Sequence, residues 1–118
     1  MNDKFIKYWL PVSLQAALIF LLSSISIFPL SVSKIISLDK LWHTVLYAGL
    51  SFLLARAFKN ASGEKTKNNF RILAIVIAIG YGISDEFHQY FVPLRIPCVI
   101  DVIYDSIGAL IGAVLFRK

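Results

Sequence analysis

Apolar residues in this chain fall into four runs close to the length of a bilayer-crossing helix, and no other feature constrains its folding as much. A hydrocarbon core ~30 Å thick takes ~20 apolar residues in helical form. The first run extends from about Tyr8 to Phe28, the second from about Leu41 to Phe58, the third from about Phe70 to Val92 and the fourth from about Asp101 to Phe116. Pro11 stands in the first turn of the first run, where proline is tolerated, while Pro29 ends that run and Pro93 stops the third. The first run exceeds the ~7–15 residues of a secretory h-region and no A-x-A-like site follows it, so it reads as a retained span. The fourth is short and crosses if the bilayer thins locally or the segment before Asp101 adds a turn. Residues 59–69, KNASGEKTKNN, form a polar loop between the second and third runs. Composition agrees: 58% of residues are hydrophobic and 16% charged, against about 45–50% and about 25% in soluble domains. The expected fold is all-α, a single transmembrane domain over residues 1–118 built as a bundle of four helices.

Charge supplies an orientation. Lys4, Lys7, Arg56, Lys59, Lys65, Lys67, Arg71, Arg117 and Lys118 would share one side of a four-span bundle, leaving Lys34, Lys40 and Arg95 on the other. Nine against three is a positive-inside bias, so both termini are expected on the cytoplasmic side of the membrane. The net charge of +5 is spread in short runs between apolar stretches, which argues against a nucleic-acid surface. Cys98 is the single cysteine, which excludes an internal disulfide. Trp9 and Trp42 read as interfacial anchors.

With that topology Asp39, His43, Asp85, Glu86, His88, Asp101 and Asp105 gather near the outer ends of the second, third and fourth spans. Helical spacing orders them further. Asp101, Asp105, Gly108 and Gly112 recur at i, i+4, i+7 and i+11, one stripe along the fourth span. Residues 108–112 form a GxxxG pattern, which allows close backbone approach within the bundle or in an oligomer. Ala74, Ala78, Gly82, Asp85 and Gln89 form a stripe on the third span, and Asp39, His43, Tyr47 and Ser51 one on the second. Each turns from small to polar toward the outer end. Asp85 lies roughly 22 Å along the third span from its cytoplasmic start, in the outer third of the membrane. An ionised group at that depth is costly unless paired, hydrated or facing the bundle interior. Arg95, whose planar fork suits two carboxylates, is the expected partner. Glu86 is about 100° around the helix from Asp85, and His88 sits near the mouth, where an interfacial role suffices. For Asp39 and Lys40 an interfacial role is as good a reading as a functional one.

Several chemistries fit these residues. Asp39, one turn before His43, could fix the tautomer of that imidazole, an arrangement shared by general bases and metal ligands. His43 would then be a base and Asp85 with Asp101 an acid or metal-binding pair, in a hydrolase or transferase acting on a membrane lipid. The same oxygens could hold a divalent cation. No HExxH, GxSxG or P-loop pattern is present to support an enzyme. A transporter or lipid flippase would need a polar path to the cytoplasm, whereas the inner halves of the stripes are small and apolar.

The motifs also carry a family resemblance. LDKLWHTVLYAGLSFLL, residues 38–54, resembles the D-K-x-x-H-x-x-x-Y block of VanZ-like membrane proteins. SDEFHQYFVPLRIPCVIDVIYDSIGALIG, residues 84–112, resembles their D-E-x-x-Q…P-x-R…D-x-x-x-N/D-x-x-G block. By position the resemblance implies functional roles for Asp39, His43, Tyr47, Asp85, Glu86, Gln89, Arg95, Asp101 and Asp105. Leu94 replaces a frequent glycine, and Asp105 a frequent asparagine, which adds a negative charge. The founding member of that family is associated with resistance to the glycopeptide teicoplanin. The resemblance therefore implies action on the cell envelope through an outer cleft that binds a membrane lipid, a lipid-linked wall precursor or a glycopeptide.

Overall fold

The computed structural model describes residues 3–24, 32–91 and 99–116. All regular structure among them is helical: α1 (Asp3–Ser24), α2 (Val32–Asn60), α3 (Glu64–Asn68), α4 (Phe70–Gln89) and α5 (Val99–Leu115). The four long helices follow the four apolar runs, with shifted boundaries. α1 begins five residues before Tyr8 and α2 nine residues before Leu41. Pro11 accordingly lies inside α1 rather than in its first turn. Lacking an N–H, it cannot donate to the Lys7 carbonyl. The polar loop is also partly ordered, because Glu64–Asn68 forms the single turn α3. Pro29, Pro93, Leu94, Arg95 and Cys98 lie outside the described residues.

Long-range contacts fix the relative directions of the helices. The Trp9 indole donates to the Ala61 carbonyl at 3.0 Å and Gln15 to that of Leu46 at 2.9 Å, so α1 and α2 are antiparallel. Tyr81 donates to the Ala16 carbonyl at 2.6 Å, placing α4 beside α1. Arg71, at the start of α4, donates to the carbonyls of Ala113 and Phe116 at 3.2 and 3.1 Å. This caps the carbonyl-rich end of α5 with a cation, which also suits the helix dipole. Successive long helices therefore alternate in direction, and the start of α1 shares one end of the bundle with the close of α5.

The core is made by α2, α4 and α5, with α1 laid against the outside. Small residues dominate it: Ala55, Ala57, Ala74, Ala78, Ala109 and Ala113 are fully buried. α2 and α5 approach most closely. A Cβ added at Gly108 would strike the Thr44 carbonyl oxygen, and one at Gly112 the Ala48 carbonyl oxygen. Only glycine permits these approaches, so the GxxxG pattern serves the contact between these two helices of one chain. Ser51 ties the seam further, donating to the Ala109 carbonyl at 2.7 Å.

Large apolar side chains face outward instead. Leu10, Leu14, Leu18 and Leu21 of α1, Ile72 and Val76 of α4, and Ile103, Leu110 and Val114 of α5 are all exposed. Among the described residues one segment, Asp3–Leu22, is long and apolar enough by itself to cross a membrane. α5 has 17 residues, and α4 ends in a turn carrying Asp85, Glu86 and His88.

The α2–α5 seam generates a paired expectation. Gly108→Ala and Gly112→Ala each destabilise the chain by about 1–3 kcal/mol, the cost of overpacking against backbone. Gly80→Ala, where an added Cβ meets nothing within 4 Å, leaves stability unchanged or raises it, since alanine is the better helix former. Thermal unfolding of the three purified variants checks the contrast.

Candidate functional site

Three helices bring their polar residues to one level. The buried side of α2 carries His43, Tyr47 and Ser51; that of α4 carries Asp85; that of α5 carries Asp101 and Asp105. These are the three stripes anticipated from helical spacing. Their carboxylates are well enclosed: Asp85 is 6% exposed, Asp101 5% and Asp105 1%, beside His43 at 8%.

The closest contact in this layer joins α2 to α5. His43 Nδ1 lies 2.7 Å from Asp105 Oδ1, across 62 residues of chain. Sequence spacing points instead to Asp39 as the carboxylate for this imidazole. The side chain of Asp39 lies outside the described residues, and Asp105 occupies the Nδ1 side. Where neutral His43 donates from Nδ1, the Asp105 carboxylate sets its tautomer; where the imidazole is protonated, the two form an ion pair. The extra acid at position 105 is thus met by an imidazole within the bundle.

A second contact joins α2 to α4. The Tyr47 hydroxyl donates to Asp85 Oδ2 at 3.3 Å. The His43 and Tyr47 rings lie nearly parallel, 3° apart in plane with centroids separated by 6.4 Å. One turn of α2 therefore presents two side chains, each meeting a carboxylate on a different neighbouring helix. Gly82 lets α4 close down on this group: a Cβ there would stand 2.9 Å from Asp105 Oδ2. Asp101 is buried one α5 turn before Asp105. Three carboxylates and one imidazole are therefore enclosed at one level, an arrangement that needs further compensation by charge or protonation.

Other expected members are less central. Glu86 is half-buried, consistent with its rotation away from Asp85. His88 stacks on the Phe20 ring of α1, centroids 4.5 Å apart and planes at 29°. The side chain of Gln89 and all of Arg95 lie outside the described residues. Among the described residues no group of three or more His, Cys, Asp or Glu side chains converges as a metal site. Sequence reasoning passed over Thr44, Gln15 and Tyr81. The Thr44 hydroxyl donates to the Tyr104 carbonyl at 3.4 Å beside the His43 pair, and Gln15 and Tyr81 fasten α1 to the core. For Gln15, a lone amide in an apolar run was the available signal.

The model of the VanZ/LLP1 family matches residues 4–117. Comparison with curated proteins finds no match, and none is found among solved structures.

The His43–Asp105 pair has a measurable signature. Removing one member of a buried pair costs about 3–5 kcal/mol because the other is left uncompensated. His43→Ala and Asp105→Ala should each show that loss in equilibrium unfolding. The double variant should lose about 1–3 kcal/mol less than their sum. Additive losses would show that the two side chains do not act on one another.

Proposed function

Because the chain belongs to the VanZ/LLP1 family, we propose that it is a four-span protein of the bacterial cytoplasmic membrane whose polar layer binds the headgroup of an envelope lipid or lipid-linked wall precursor. The observation that carries this reading is an inverted distribution of polarity. Asp85, Asp101, Asp105 and His43 are enclosed between helices whose outward faces expose leucine, isoleucine, valine and phenylalanine. In water such a surface would be a liability; in lipid it is the solvated face. At ~1.5 Å per residue the 29-residue α2 reaches well beyond a ~30 Å hydrocarbon core. The nine-to-three distribution of basic residues argues for cytoplasmic termini and a polar layer toward the outer leaflet.

In this reading Arg95 contacts a phosphate or carboxylate of the ligand and offsets the enclosed acids. Asp39, Glu86 and Gln89 orient its polar groups, while Tyr47 and His43 hold Asp85 and Asp105 in place. Family resemblance connects such binding with glycopeptide susceptibility. Asp85→Asn and Arg95→Ala should each remove any change in teicoplanin susceptibility that the wild-type chain confers on an expressing strain. Minimum inhibitory concentrations measured at matched protein levels test this. If wild type changes susceptibility and both variants change it equally, headgroup binding through these residues fails.

The His43–Asp105 geometry favours one alternative, a membrane-embedded hydrolase or transferase for a lipid-linked substrate. A carboxylate on Nδ1 orients an imidazole for general-base work, with Asp85 or Asp101 available as an acid. Purified wild type would then turn over a lipid-linked substrate, and Asp105→Asn would lower kcat by about 100-fold or more. Absence of turnover with and without divalent cations would count against catalysis. A flippase is disfavoured because buried alanines fill the inner half of the core described.

A further inference from the structure

The opposite end of the bundle carries a second concentration of charge that the polar layer does not use. Lys7 and Arg56 both stand over the Tyr8 ring, the Lys7 Nζ 5.4 Å and the Arg56 Cζ 4.7 Å from its centroid. Lys59 and Arg71 both stand over the Phe70 ring, at 5.1 Å for the Lys59 Nζ and 4.7 Å for the Arg71 Cζ. Three helices build these two groups. Tyr8 belongs to α1, Arg56 and Lys59 to the last turns of α2, and Phe70 and Arg71 to the start of α4. Arg56 and Lys59 are three residues apart and so neighbours on the α2 surface. The adjoining Trp9 ring packs edge-on against Phe58, with centroids 5.1 Å apart, and its indole is hydrogen-bonded to Ala61. This fastens α1 to α2 beside the first ring.

Anionic partners within the chain are scarce at this end. Lys4, Lys65 and Lys67 add to the four cations, while Asp3 and Glu64 are the acids described there. Among the described residues, no carboxylate lies within ion-pair distance of Lys7, Arg56, Lys59 or Arg71. Bringing Lys7, Arg56, Lys59 and Arg71 together sets up a mutual repulsion that an anion lying against them would relieve. The rings stabilise the cations by their quadrupoles and position them without neutralising their charge. An exposed apolar belt continues directly from this end along α1, through Leu10 and Leu14. A ligand with an anionic head and an apolar tail matches both surfaces together.

We propose that the two ring-supported cation pairs, Lys7 with Arg56 on Tyr8 and Lys59 with Arg71 on Phe70, form a docking surface for the phosphates of anionic phospholipids. The inference rests on the membrane embedding proposed above and is independent of what the polar layer binds. Arg56 would supply a planar fork for phosphate oxygens and Lys59 a mobile point charge beside it. Arg71 has two donors committed to the end of α5, so its part is chiefly electrostatic.

The test uses the full chain purified in a neutral detergent, with native mass spectrometry of retained lipid. Phosphatidylglycerol and phosphatidylcholine of identical acyl chains are offered in equal amounts. Wild type should retain phosphatidylglycerol preferentially. Arg56→Gln/Lys59→Gln should weaken that preference by about fivefold for each cation removed. Lys65→Gln/Lys67→Gln makes the same change in net charge on α3, whose lysines stand over neither ring, and should weaken it far less. Equal effects of the two double variants would replace a built surface by diffuse attraction and overturn the proposal. Equal retention of both lipids by wild type overturns it without any variant. Displacement of lipid by millimolar inorganic phosphate would identify a free-anion site and likewise overturn it. Alkaline carbonate extraction separates the premises: release from membranes defeats the embedding, whereas a retained chain indifferent to headgroup charge defeats this inference alone.

Discussion

The close approach of α2 and α5 is the contact on which the rest of this structure depends. It is possible because Gly108 and Gly112 present no side chain to the carbonyls of Thr44 and Ala48. Once the backbones are that close, Ser51 reaches the Ala109 carbonyl and His43 reaches Asp105. Neither side chain could span a seam held open by larger residues. In the proposed lipid setting apolar surface would contribute little to helix association, leaving cohesion to close packing and interhelical hydrogen bonds. The same glycines therefore serve the stability of the bundle and the geometry of its polar layer.

Burying acids at this level is a cost borne in a particular place. Asp85 and Asp105 sit on different helices and both face α2, where Tyr47 and His43 meet them one each. Gly82 removes the side chain that would hold α4 away from Asp105. If stability were the sole requirement, well-packed apolar residues would serve as well or better at these positions. In the proposed membrane setting, where ionisable groups at depth are expensive, three enclosed carboxylates are what a ligand-binding role would require. The basic end is built on a different principle: its cations lie on aromatic rings near the surface and keep full charge, as the proposed docking of anionic lipid requires.

Much of this was legible because helices impose a short period. Steps of three and four residues put Asp101, Asp105, Gly108 and Gly112 on one face, and all four are buried. The same arithmetic identified Ala74, Ala78, Gly82 and Asp85, and separated Asp85 from Glu86. Helix ends were less legible, as the early starts of α1 and α2 show, because polar residues continue a helix readily where no proline or glycine stops it. One partner of His43, Asp105, was beyond the reach of periodicity. Spacing within one helix can point only to Asp39, whose side chain lies outside the described residues, whereas Asp105 lies 62 residues away. What brings it there is the rotation and height of α5 against α2, set by backbone contact at Gly108 and Gly112.

That dependence bears on how the two proposed surfaces could influence one another. α2 passes through both, with His43 and Tyr47 toward one end and Arg56 and Lys59 toward the other. α4 does likewise, with Asp85 near its close and Phe70 and Arg71 at its start. Arg71 also grips the last carbonyls of α5, the helix that carries Asp105. A lipid phosphate drawing on Arg71 would compete for a cation that holds the end of α5. A shift of α5 along α2 is resisted by the glycine contacts, because Cβ-bearing neighbours of Gly108 and Gly112 cannot occupy those positions. If the basic end docks lipid as proposed, the small-residue seam would keep the polar layer in register while that lipid exchanges. Rigidity between the two ends is the mechanical consequence of packing backbones so closely.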